Sequence, residues 1–128
     1  MNDRGTYTVY FDGNKVPGPT GTSCSFLIIN PTGQRLYETT IPLPPQTTVP
    51  EAEYHGLIAG LEYLSAVQPP PDALTVFGDS QLVINQINGV YETRKTELRV
   101  LRGRARNLLE RFRSWTVSWV PRDRNLVK

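Results

Sequence analysis

The chain has 128 residues, 38% of them hydrophobic and 20% charged, which suits a single soluble globular domain over residues 1–128. No apolar run approaches the ~20 residues of a bilayer-spanning helix. The first residues lack a signal-peptide profile, and a lone cysteine, Cys24, excludes an internal disulfide, so a cytoplasmic location with no membrane partner is expected.

Net charge is +2, unevenly spread. Residues 1–88 carry three Lys/Arg against eight Asp/Glu, a net −5, and residues 89–128 carry eleven against four, a net +7. An acidic part joined to a basic part points to a metal site beside a polyanion-binding surface, with an ordinary solvated basic helix as the alternative.

In chain order, Tyr7 to Asp12 alternates, with Tyr7, Val9 and Phe11 on one face, and predicts a strand ending in an aspartate. GNKVPGPTG, residues 13–21, is rich in turn formers. Ser23 to Ile29 and Gln34 to Ile41 predict two further strands around the turn Asn30-Pro31-Thr32-Gly33. The prolines of IPLPPQ cannot continue a ladder, because proline has no N–H to donate.

A helix follows over Thr48 to Leu64. Thr48 and Glu51 have capping-box spacing, and Pro50 stands in the first turn, where a missing N–H costs least. Leu57, Leu61 and Leu64 make the inward stripe. At about 100° per residue Glu53 shares that stripe, whereas Glu51 and Glu62 fall on the opposite side. Ala73 to Asp79 predicts a fourth strand, also ending in an aspartate. Ser80 can cap a short helix over Gln81 to Asn88 that Gly89 terminates. Arg94 to Arg113 predicts a third helix, apolar along Leu98, Leu101, Ala105, Leu108, Leu109 and Phe112 and mostly arginine elsewhere. Trp115 to Val120 predicts a fifth strand in which both tryptophans pack. Pro121 stops it, and Asp123 or Asn125 is placed to cap a last helix.

Asp12, Glu53 and Asp79 come from three separate elements. Each alone reads as a turn or cap residue, or, for Glu53, as the partner of an arginine such as Arg4. Together they converge only if something cationic holds them. A hard divalent ion with oxygen ligands does so. Phosphoryl chemistry at a metal pair needs no side-chain nucleophile: one ion activates water and the other stabilises the leaving oxygen, ~3.5–4 Å apart.

Four motifs, YFDGNKVPGPTG, EAEYHGLIAGL, GDSQLVINQING and WVPRDRN, resemble in order the ribonuclease H type 1 family over nearly the whole chain. The resemblance implies an α/β, ribonuclease H-like fold: a five-stranded mixed sheet flanked by helices, with the C-terminal helix missing or truncated. It implies a short form without the inserted basic-protrusion helix. The implied activity is divalent-metal cleavage of the RNA strand of an RNA–DNA hybrid, by a monomer using two Mg²⁺ or Mn²⁺ ions. Asp12, Glu53 and Asp79 match three of the family's four metal-binding carboxylates and are the candidate catalytic residues.

The chain departs from the family in several places. After Asn125, the sequence Leu126-Val127-Lys128 stops one residue short of the family's fourth aspartate. Reduced but surviving activity is expected, with the Lys128 α-carboxylate or Asn125 (or Asp123) as a substitute ligand. Val49 and Pro50 replace two asparagines that contact the hybrid. Arg122 or Arg124 occupies the region of the family's mobile histidine. Gly13, Asn14, Thr48, Gln81, Asn88, Arg94, Arg122 and Arg124 are the candidate substrate contacts, because hybrids are recognised through phosphates and 2′-hydroxyls. The competing expectation is a catalytically weak or inactive hybrid-binding module of the same fold.

Overall fold

A computed structural model describes residues 5–16, 18 and 21–127. The elements are β1 (Thr6–Lys15), β2 (Thr22–Ile29), β3 (Arg35–Pro42), α1 (Val49–Ser65), β4 (Ala73–Gly78), α2 (Gln81–Ile87), α3 (Thr96–Leu109) and β5 (Ser114–Trp119). A short 3-10 turn, Arg122–Arg124, follows. The strands form one sheet in the order β3-β2-β1-β4-β5. β1 runs antiparallel to β2 and parallel to β4, and β4 runs parallel to β5, so the sheet is mixed. Among the described residues no helix is long and apolar enough to cross a membrane.

Alternation along the strands sends Val9, Phe11, Phe26, Ile28, Leu74, Val76 and Val117 to one face, where they join the helices' apolar stripes in a single core. α1 lies on β1 and β2, α2 reaches β5, and α3 packs against α1 and α2. Leu57, Leu61 and Leu64 of α1 are fully buried, each stabilising the fold by about 1.5–3 kcal/mol.

The start of α1 is fixed by its cap. Thr48 Oγ1 accepts from the Glu51 N–H at 3.3 Å, and Glu51 Oε1 accepts from the Thr48 N–H at 2.8 Å. Ser80 Oγ caps α2 by accepting from the Val83 N–H at 3.1 Å.

Three expectations change. β1 does not stop at Asp12: residues 13–15 stay in the ladder opposite Cys24, Ser23 and Thr22, and just beyond them the Val16 N–H donates to the Gly21 carbonyl at 3.0 Å. Glycine at position 13 therefore marks a strand that something approaches closely. Next, α3 is shorter than its arginine-rich pattern, because Arg94 and Lys95 precede the first turn and Glu110 closes the last. Finally, neither Asp123 nor Asn125 caps an α-helix. Pro121 leads into a single 3-10 turn with no side-chain cap, and Asn125 is buried instead.

Candidate active site

Asp12, near the end of β1, Asp79, directly after β4, and Glu53, in the first turns of α1, meet at one end of the sheet. One carboxylate oxygen from each lies within 4.8 Å of the others. Parallel pairing of β1 with β4 delivers the two aspartates side by side, because Phe11 pairs with Gly78 one residue before each. Glu53 arrives from above. Gly13 and Gly56 carry no Cβ, so α1 comes down onto β1 until Gly56 faces the Asp12 carbonyl and Gly13 faces the Ala52–Glu53 backbone.

The electrostatics of this cluster are unfavourable without a cation. Asp12 is raised above its ordinary value by burial and then by the nearby Asp79 charge. Glu53 is pushed up to about 7, by burial first and then by the charges of Asp79 and Asp12, against a lowering hydrogen bond from Ser80. Arg122 exerts a smaller lowering influence on both groups. Asp12 Oδ1 is buried without a hydrogen-bond partner, a cost of about 1–3 kcal/mol or more for a charged acceptor. Among the described residues no ion pair reaches these three side chains, so the arginine-partner alternative for Glu53 finds no support there; Arg4 lies outside the described residues. An orphaned buried oxygen among three hard oxygen donors fits a divalent cation.

The other sequence-derived candidates divide. Gly13 is buried in the ladder, and its missing side chain accommodates α1. Asn14, Thr48 and Gln81 are exposed, and Thr48 is also the α1 cap. Asn88 Nδ2 donates to the Val117 carbonyl at 2.8 Å, tying α2 to β5. Arg94 is exposed and pairs with Glu92 at 2.9 Å. Arg122 and Arg124 are exposed on the 3-10 turn. Lys128 lies outside the described residues. Asn125 does not offer its oxygen to the cluster. Its Nδ2 donates to Asp79 Oδ2 at 3.2 Å and to the Phe11 carbonyl at 2.9 Å, while its Oδ1 faces the Val127 N–H at 3.4 Å.

Two contacts escaped the sequence reading. Trp119, expected to pack, is 44% exposed, and its indole N–H donates to the Asp79 carbonyl at 3.1 Å. No local signal marks it, because the parallel register that sets Trp119 level with Gly78 is a long-range pairing. The buried Tyr54 hydroxyl donates to Gln86 Oε1 at 2.8 Å, joining α1 to α2.

The reverse transcriptase-like family matches residues 10–127. Ribonuclease HI of Halobacterium salinarum is 35% identical over 121 residues, covering 94% of this chain and 59% of that protein. The crystal structure of RNase H1 from the same organism superposes with a TM-score of 0.83 at 34% identity, covering 94% of this chain and 89% of that one. The N-terminal RNase H domain of a Mycobacterium tuberculosis protein superposes with a TM-score of 0.82 at 30% identity, covering 94% and 90%. The chain thus spans under two thirds of the full Halobacterium protein but most of each solved domain. It belongs to the reverse transcriptase-like family, as a domain of the ribonuclease H type.

Proposed function

We propose that this domain is a divalent-metal endoribonuclease that hydrolyses the RNA strand of RNA–DNA hybrids. The observation that carries the reading is the convergence of Asp12, Glu53 and Asp79 within 4.8 Å, with Asp12 Oδ1 buried and unpartnered. Asp12, Glu53 and Asp79 would hold Mg²⁺ or Mn²⁺. A pair of such ions supplies Lewis-acid activation of water and charge neutralisation at the phosphate. Three carboxylates provide −3 against the +4 of two ions, and substrate phosphate and water would complete the shells.

The chain's own residues do the rest. Exposed Asn14 follows Asp12 on β1, Thr48 caps the helix that carries Glu53, and Gln81 opens α2 two residues after Asp79; all three would touch backbone and 2′-hydroxyls. Arg122 places positive charge near enough to act on Asp12 and Glu53, and with Arg124, exposed on the same 3-10 turn, it would meet the incoming phosphate. Asn88 keeps its amide oxygen for a sugar contact while its nitrogen holds β5.

Away from the carboxylates, a groove of about 620 Å³ between residues 89–94 and α3 is lined by Tyr91, Thr93, Arg94, Arg99 and Arg102. Arg102 Nε is already bonded to the Gln86 carbonyl at 2.7 Å, which aims the guanidinium. This groove suits the sugar-phosphate track of the bound duplex. A monomer suffices for this arrangement.

The experiment is cleavage of a hybrid labelled separately on each strand, with Mg²⁺ or Mn²⁺. The reading predicts metal-dependent fragments from the RNA strand alone, abolished by Asp79→Asn. Binding of the hybrid without cleavage would favour a non-catalytic module.

A further inference from the structure

Asn125 is only 4% exposed and sits where the tail after β5 crosses the end of the sheet. The Phe11 carbonyl can only accept, so the amide nitrogen must face it. That assignment turns the nitrogen toward the carboxylates and the oxygen toward the Val127 N–H. Both amide protons are then used: one on the main chain immediately before Asp12, the other on Asp79 Oδ2. A single side chain thus ties the carboxylate of one aspartate to the backbone that presents the other. Trp119, bonded to the Asp79 carbonyl, restrains the main chain of the same residue.

A carboxylate's terminal torsion is soft. Three carboxylates within 4.8 Å repel one another, so an unrestrained Asp79 would swing toward solvent. An arginine or lysine would hold it by neutralising it, and would compete with a cation for the same oxygens. A neutral amide holds Asp79 through one oxygen, leaves the other free, and leaves the charge intact. We propose that Asn125 is a positioning residue that fixes Asp79 relative to Asp12 so that the cluster is preorganised for a cation. The inference rests on the reading that these carboxylates bind the metal.

The test compares wild type, Asn125→Ala and, as a structural control, Tyr54→Phe, which removes a buried hydrogen bond outside the cluster. Mn²⁺ affinity is measured by calorimetry, and the melting temperature in EDTA is measured alongside. Asn125→Ala is expected to weaken Mn²⁺ binding about tenfold, whereas Tyr54→Phe lowers the melting temperature and leaves the affinity unchanged. An Asn125→Ala affinity within about twofold of wild type would overturn the proposal.

A metal-free measurement covers the case in which Asn125→Ala does not fold. The side-chain amide proton resonances of Asn125 are expected to shift in Asp79→Ala, as one donor loses its acceptor. Resonances that stay in place would overturn the proposal as well. Absence of Mn²⁺ binding by the wild type would defeat the metal reading instead, and the amide resonances would still decide whether Asn125 holds Asp79.

Discussion

Gly13 faces the backbone of Glu53 so closely that a methyl group on it would lie 2.8 Å from Glu53 Cα and 2.5 Å from the Ala52 carbonyl carbon. Backbone cannot swing aside as a side chain can. Gly13→Ala must therefore push the first turns of α1 away from β1, carrying Glu53 from the two aspartates. We predict a loss of about 1–3 kcal/mol of stability, the usual cost of overpacking, and a larger loss of hybrid cleavage. Chemical denaturation and cleavage assays on the same preparation check this. Wild-type activity in Gly13→Ala would show that the approach of α1 to β1 is not what sets the site.

Glu53 gives the stability of the metal-free protein a pH dependence of definite sign. Its carboxyl is raised from an ordinary 4.5 to about 7, so the folded state holds the proton more tightly than the unfolded state. That contribution is fully present below about pH 4.5 and is lost as pH rises through 7. Asp12, raised in the same sense, adds to it. In EDTA, the melting temperature of wild type relative to Glu53→Gln should fall across this interval. Saturating Mg²⁺ should offset the fall, since a bound cation favours the ionised form. A difference that is flat or rises with pH would contradict the assignment.

Tyr54 and Gln86 make the clearest buried side-chain pair outside the carboxylates, with Tyr54 fully buried and Gln86 4% exposed. Tyr54→Phe strips Gln86 of a partner in the core and should cost about 1–3 kcal/mol. Urea denaturation measures it. Because the hydroxyl points away from the cluster and into α2, cleavage at temperatures well below melting should persist.

Arg99 lines the groove beside α3 and is exposed. Arg99→Ala should weaken hybrid binding at low salt and reduce the slope of log affinity against log salt by about 0.7–0.9, the loss of one phosphate contact. Fluorescence anisotropy across a salt series, using the Asp79→Asn chain to prevent cleavage, reads both. An unchanged slope would remove this groove from the phosphate track.

Legibility followed the range of the interactions involved. α1 could be read from local signals alone: Thr48, Pro50, Glu51 and the leucine spacing specify where it starts and which side it buries. The alternation in β1 and β4 likewise located the strands that carry Asp12 and Asp79, although only Asp79 stands at a strand end. The end of β1 was misjudged because glycine and asparagine, which usually mark turns, stand at positions 13 and 14. What keeps them in the strand is pairing with β2 and the nearness of α1, neither of which is local. Asn125 read as a helix cap because its neighbours are turn formers, but its partners, Phe11 and Asp79, lie 114 and 46 residues away. Trp119 read as core because it shares the strand face of the buried Val117, yet it sits at the exposed end of β5 beside Asp79.

The most direct test of the account is a crystal of this domain soaked in Mn²⁺, with anomalous scattering recorded near the manganese edge. The account predicts an anomalous peak bounded by oxygens of Asp12, Glu53 and Asp79, with Asn125 still bonded to Asp79. Carboxylates that remain together with no anomalous peak between them, or a peak elsewhere on the molecule only, would contradict it.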